Sequence, residues 1–140
     1  REDRKLITER NRLRMKPQAS KVVTLEDLER ATDVSERIHM SPQMVDYIQD
    51  ILDAVLAPHK FGIGQPGLVA QAMVTRVSIM MEKAARIQAL MNGRSEVRPE
   101  DVMAVAPKLL RHRIILSYAA GEMSTDALIT EILSALPIRK

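Results

Sequence analysis

Three histidines, His39, His59 and His112, carry the side chains that change protonation nearest neutral pH. Metal binding would need close spacing of the H-E-x-x-H or His-x-His kind, and none of the three has it. His39 falls at a helix entry and His59 in a loop, so surface positions are expected for both. Glu100 and Asp101 are adjacent carboxylates, but they follow Pro99 at the start of a helical pattern, where acidic side chains complement the macrodipole. They read as helix-start charges, not as an acid/base couple. There is no cysteine, which excludes a thiol nucleophile, a zinc–thiolate site and a disulfide framework. The glycine-bearing loop over 58–67 lacks the Gly-Lys-Ser/Thr continuation that binds phosphate and magnesium, and no G-x-S-x-G elbow occurs. No nucleophile–base pair can be nominated, so the residues taken alone make no complete active site.

Composition bounds what remains. The 140 residues suit one domain, and 46% apolar with 28% charged residues is ordinary globular usage. Nine methionines against three aromatics and five glycines favour packed helices over a β-sandwich. No apolar run reaches the roughly 18–20 residues of a membrane span and no signal peptide opens the chain, so a cytoplasmic location is expected. The chain starts at Arg1, as a piece of a longer protein would. The net charge of +3 is uneven: residues 1–21 hold eight basic and three acidic residues. That arm could neutralise phosphates, but no aromatic side chain interleaves it to stack on bases, and a solvated connector fits it better.

The elements follow from caps and periodicity. Thr24 caps a helix running to Glu36, with Leu25, Leu28 and Ala31 on one face. Ser41 and Pro42 open a second, whose apolar stripe is Met44, Val45, Ile48, Ile51, Leu52, Val55 and Leu56. A long third helix is expected from Leu68 to Asn92, closed by Gly93, with Val69, Met73, Val77, Met80, Met81, Ala84 and Met91 facing the core. Pro99 begins a fourth under a weak cap, Arg98, and Pro107 is placed to kink it. Arg113–Leu116 is a strand or half of a small hairpin near 113–123. Ser124 caps a last helix to Leu136, stopped by Pro137. The fold class is all-α, a bundle of about five helices, with 1–21 a basic linker and 22–140 the helical domain.

One stretch is more specific than any of these signals. Gly93-Arg94, Val97, Pro99-Glu100-Asp101-Val102, Ala106-Pro107, Leu110 and His112-Arg113 occur in the order and spacing G-R-x-x-V-x-P-E-D-V, then A-P-x-x-L-x-H-R. Upstream, Ser41, Pro42, Val45, Tyr47, Ile48, Asp50 and Ile51 are similar to S-P-x-x-V-x-x-Y-I-x-D-I, with one residue fewer between the valine and the tyrosine. Together these resemble the C-terminal lid domain of MoxR-type AAA+ ATPases over about residues 22–136.

The resemblance implies an ATPase whose nucleotide-binding core, with ATP and magnesium, lies outside these residues, so that this segment alone is inactive. It implies a lid closing over the nucleotide, a ring assembly (commonly a hexamer), chaperone-like remodelling and a von Willebrand A-type partner. It also implies a sensor-2 arginine at the start of the long lid helix, reaching the γ-phosphate. Arg76 fits that position by its spacing to Gly93-Arg94. The family's G-[AS]-S-P-R turn is replaced here by Ala72-Met73-Val74-Thr75. Gly64-Gln65-Pro66-Gly67 looks like its front but has Gly67 where the arginine would be, so either the helix extends backwards by about two turns or that arginine has been lost. Arg111, His112 and Arg113 are candidates for contacts with the core or a neighbouring subunit, or for charges complementing a helix C-terminus. Competing readings are a helical nucleic-acid-binding or histone-fold-like module, since P-E-D-V also occurs there, and a free-standing protein-interaction domain.

Overall fold

Hydroxyl and proline caps start most of the helices. The structure is a computed structural model that describes residues 20–137, so the basic arm lies outside the described residues except for Ser20 and Lys21. In chain order it contains α1 (Leu25–Glu36), α2 (Pro42–Leu56), a 3-10 turn (Pro58–Phe61), β1 (Val69–Ala72), α3 (Val77–Met91), α4 (Pro99–Leu110), β2 (Ile114–Leu116), a second 3-10 turn (Tyr118–Ala120) and α5 (Thr125–Ala135). Ser41 Oγ accepts from the Met44 amide at 3.3 Å and Ser124 Oγ from the Ala127 amide at 3.1 Å, each satisfying an otherwise orphaned helix donor.

The chain divides into two compact units, Arg1–Arg30 and Ala31–Lys140. In the first, Thr24 Oγ1 accepts from the Asp27 amide at 3.1 Å, and Asp27 Oδ2 accepts from the Thr24 hydroxyl at 2.7 Å and amide at 2.9 Å. These bonds, the hydroxyl one foremost, hold the Asp27 carboxyl below its ordinary range. Their contribution is present above the unfolded carboxylate range and is lost as pH falls through the folded one. The expected apolar face of this helix is not a core face. Leu25, Leu28 and Ala31 are exposed, and the one buried residue of α1 is Ser35, whose hydroxyl donates to the Thr32 carbonyl at 2.7 Å.

In the second unit the core is built around α2, which touches α3, α4, α5 and β1. Tyr47, Ile48, Ile51, Ala54 and Val55 are wholly buried. Tyr47 was absent from the expected stripe, while Leu56 lies outside the core, 52% exposed. The Tyr47 hydroxyl has no hydrogen-bond partner among the described residues. Burial pushes this phenol above the ordinary tyrosine range, so ionisation opposes folding and stability is lost as pH rises past about 10.

The long third helix is shorter than its periodicity suggests. It begins at Val77, because Val69–Ala72 is a strand paired antiparallel with Ile114–Leu116, in register Val69↔Leu116, Gln71↔Ile115 and Ala72↔Ile114. Ser117 donates from its amide to the Leu68 carbonyl at 2.9 Å, and the Met73 amide to the Arg113 carbonyl at 3.0 Å, which extends the ladder at both ends. A backbone ladder with β-branched Ile114 and Ile115 overrides the high helix propensity of Ala70, Gln71 and Ala72, as tertiary context can. The hairpin expected near 113–123 is replaced by this long-range pair, and 118–120 form a 3-10 turn instead. The backward extension of the helix ahead of Arg76 is overturned by the same pairing.

The methionine stripe changes as well. The buried rung of α3 is Val77, Met81, Ala85 and Ala89, at i, i+4, i+8 and i+12. Met80 precedes Met81 by one residue, about 100° around the helix, and is exposed, as are Met73 and Met91. Ala85 and Ala89 let α3 lie close to α4, the neighbour with which it packs most extensively. Gly93, at φ +68, ends α3: the Arg94 amide reaches the Ala89 carbonyl at 3.0 Å and the Gly93 amide the Leu90 carbonyl at 2.9 Å, a Schellman closure that favours glycine.

Asp101 is more than a helix-start charge. It is 1% exposed and accepts from Arg94 Nη1 at 2.8 Å, from Arg94 Nη2, from Asn92 Nδ2 at 3.1 Å and from the Arg98 amide at 2.9 Å. Arg98 cannot cap α4 through its own side chain, so Asp101 reaches back from the third helical position and supplies half of a capping box. The same carboxylate takes a two-pronged ion pair from the residue just beyond α3. Pro107 lies inside α4, which nonetheless runs on to Leu110.

Removing one partner of a buried pair leaves an uncompensated charge. Asp101→Asn is expected to cost about 3 kcal/mol in urea unfolding, and a loss under 1 kcal/mol would refute this assignment. Tyr47→Phe should raise stability by about 1 kcal/mol, because it removes a buried hydroxyl with no partner, and should abolish the alkaline loss. Lower thermal stability in the phenylalanine variant would show that the hydroxyl is satisfied.

Candidate functional site

Imidazole chemistry finds no support in the geometry. His39, His59 and His112 are all exposed, and no group of three or more His, Asp or Glu among the described residues could hold a metal ion. His39 serves through its backbone: its amide donates to the Ser95 carbonyl at 2.8 Å and its carbonyl accepts from the Val97 amide at 2.9 Å. The α1–α2 and α3–α4 connections are thereby tied together. The loop Gly62-Ile63-Gly64-Gln65-Pro66-Gly67 does spell G-x-G-x-x-G. It follows a 3-10 turn and leads into β1, so it lacks the strand-to-helix setting in which those glycines hold a dinucleotide.

Arg76 occupies the N-cap position of α3, and its side chain makes no capping bond. The residue is exposed, and its guanidinium has no hydrogen bond or ion pair among the described residues. Its backbone, by contrast, is fixed on every side. The Val77 amide donates to the Val74 carbonyl at 2.8 Å, the Met80 amide to the Arg76 carbonyl at 3.3 Å, and Val77 is wholly buried. Gln49 of α2 donates from Nε2 to Ser78 Oγ at 2.7 Å, linking this first turn to the core helix. A fixed root with an unengaged guanidinium, at the positive end of a 15-residue helix, suits an anion.

The three consecutive residues at the end of α4 separate. Arg111 Nε donates to Asp126 Oδ1 at 2.7 Å, an ion pair about half exposed at both ends. His112 faces solvent. Arg113 is part-buried and turns toward α3: Nε donates to the Leu109 carbonyl at 2.9 Å, and Nη2 lies 3.6 Å from Met80 Sδ. The sheet thus brings Arg113 to the same end of α3 as Arg76, which sequence spacing alone could not show.

Two further arginines have partners that the sequence reading did not assign. Arg94 pairs with Asp101, and the signal for it was an acidic residue at the third position of a helix whose own cap is unsuitable. Arg86 donates from Nη1 to the Glu36 carbonyl at 3.0 Å and the Ile38 carbonyl at 2.7 Å, where α1 ends; no local pattern announces it. We expect Arg86→Ala to cost about 1.5–3 kcal/mol, as charge-assisted bonds to carbonyls do. Arg111→Ala should cost less than about 1 kcal/mol, as for an exposed pair. Equal losses in thermal unfolding would contradict this ranking.

Residues 68–132 match the AAA lid domain family. Chaperone MoxR1 of Mycobacterium tuberculosis is 32% identical over 125 residues, covering 87% of this chain and 33% of that protein. Protein MoxR of Methylorubrum extorquens is 28% identical over 111 residues, 76% of this chain and 32% of its own length. A crystal structure of a candidate ATPase from Cytophaga hutchinsonii superposes with a TM-score of 0.82 at 28% identity, over all of this chain and 44% of that one. The chain spans about a third of the length of the curated relatives it matches. With five helices and a two-stranded sheet among the described residues, and the Gly93–Arg113 motif inside the matched segment, the chain belongs to the AAA lid domains of the MoxR-like AAA+ ATPase family.

Proposed function

We propose that this chain is the lid of an ATP-hydrolysing machine, closing over ATP held by a nucleotide-binding core not contained in these 140 residues, with Arg76 as its sensor-2 arginine. The single observation that carries the reading is the root of Arg76. It sits at the first position of α3 with a fixed backbone and an unengaged guanidinium. A guanidinium stays protonated at any working pH and contacts phosphate oxygens through two parallel donors. In that role it stabilises charge on the transferring phosphoryl group and couples nucleotide state to lid position. Magnesium and the remaining phosphate contacts belong to the core, and residues 1–21 to the connection with it.

The wider biology extends the same proposal. The Mycobacterium relative is called a chaperone, which supports remodelling or maturation of partner proteins; a ring of subunits and a partner of von Willebrand A type are what the family resemblance implies. No helix among the described residues is long and apolar enough to cross a membrane, in keeping with a cytoplasmic machine. Arg111 and His112 lie on the exposed surface, where they would meet the core or a neighbouring subunit.

The test is steady-state ATP turnover by the full-length protein with Arg76→Ala. A fall in kcat on the order of 100-fold, with a smaller change in ATP binding, is expected for loss of a transition-state donor. Unchanged turnover would remove Arg76 from the role.

A further inference from the structure

Resting on the reading of Arg76 as a phosphate contact, we infer that Arg113 is a second phosphate-binding arginine, and that the two guanidiniums form a cradle for a polyphosphate at the N-terminus of α3. Thirty-six residues separate them in the chain, and the pairing of β1 with β2 closes that gap. The Met73 amide bonds the Arg113 carbonyl, and Arg76 follows Met73 by three residues. The guanidinium of Arg113 then lies against Met80 Sδ. Helical side chains lean toward the N-terminus of their own helix, so Met80 covers the turn that Arg76 opens.

The charge balance of this corner is unlike that of three arginines elsewhere in the domain. Arg94, Arg98 and Arg111 each pair with a carboxylate, respectively Asp101, Glu96 and Asp126. Arg76 and Arg113 pair with none among the described residues. Arg113 is also oriented in advance: Nε is committed to the Leu109 carbonyl and one edge rests on a thioether. The planar fork keeps donors for a ligand without losing further rotamer freedom. Two cations at an uncapped helix start, one of them part-buried, favour a multiply charged anion over a single carboxylate. Inorganic triphosphate carries the shared chemistry of nucleotide tails.

The experiment is a titration of the 140-residue chain with inorganic triphosphate, followed by NMR at the arginine Nε–H groups and at the amides of residues 76–80 and 113. The wild type should shift at both arginines. Arg113→Ala and Arg76→Ala should each weaken binding by about tenfold, while Arg111→Ala binds as the wild type does. Arg113→Gln, which keeps a stem against Met80, repeats the test if the alanine variant unfolds. Wild-type binding by both Arg113 variants, with loss in Arg76→Ala, overturns the cradle and leaves the Arg76 reading standing. Wild-type binding by Arg76→Ala, or no shift in the wild type, overturns the cradle, while turnover of the full-length protein decides the Arg76 reading separately.

Discussion

The antiparallel pairing of Val69–Ala72 with Ile114–Leu116 is the constraint on which the rest of the site depends. It takes a segment that could continue α3 backwards and holds it extended, so that the helix must start where the ladder ends. Arg76 is placed at that start, and no substitution in α3 itself would be needed to move it. The same ladder delivers Arg113 to the first turn. A three- to four-residue strand is weak by itself, but this one is covered by α2 and α5, and its edge amides and carbonyls are satisfied beyond the strand ends.

A second constraint acts at the other end of α3. Its last carbonyls are closed by the Gly93 turn, and the residue that follows is locked to Asp101 at the start of α4. Arg86, midway along, holds the carbonyls where α1 ends. A helix held at both termini and near its centre is suited to act as one stiff element. The proposed lid would need that, so that a small change at one end displaces the whole element.

Legibility followed the range of the interactions. Helix starts at Thr24, Ser41, Pro99 and Ser124 were read correctly, because a cap is a local contract between residues two or three apart. The Gly93 stop was read for the same reason. The order and spacing from Gly93 to Arg113 carried the family, and the matched segment bears it out. What failed was non-local. The strand at 69–72 has no alternation strong enough to announce itself, and its partner lies more than forty residues away. Asp101 reads locally as a helix-start charge; the unsuitable cap at Arg98 hints at a capping role, but that hint does not single out Arg94 as the ion-pair partner. The methionines misled through their number: the rung that packs is set by Ala85 and Ala89, and small residues carry a weak hydrophobic signal.

The proposed function rests on one exposed side chain on a well-held root. In that proposal a phosphate of ATP is its partner, and the donor geometry of a guanidinium suits the task. The most direct measurement is a structure of the full-length protein with a non-hydrolysable ATP analogue and magnesium. The account predicts the Arg76 guanidinium within hydrogen-bond distance of the γ-phosphate in the closed state. An Arg76 side chain turned to solvent, with another arginine on the γ-phosphate, would contradict it.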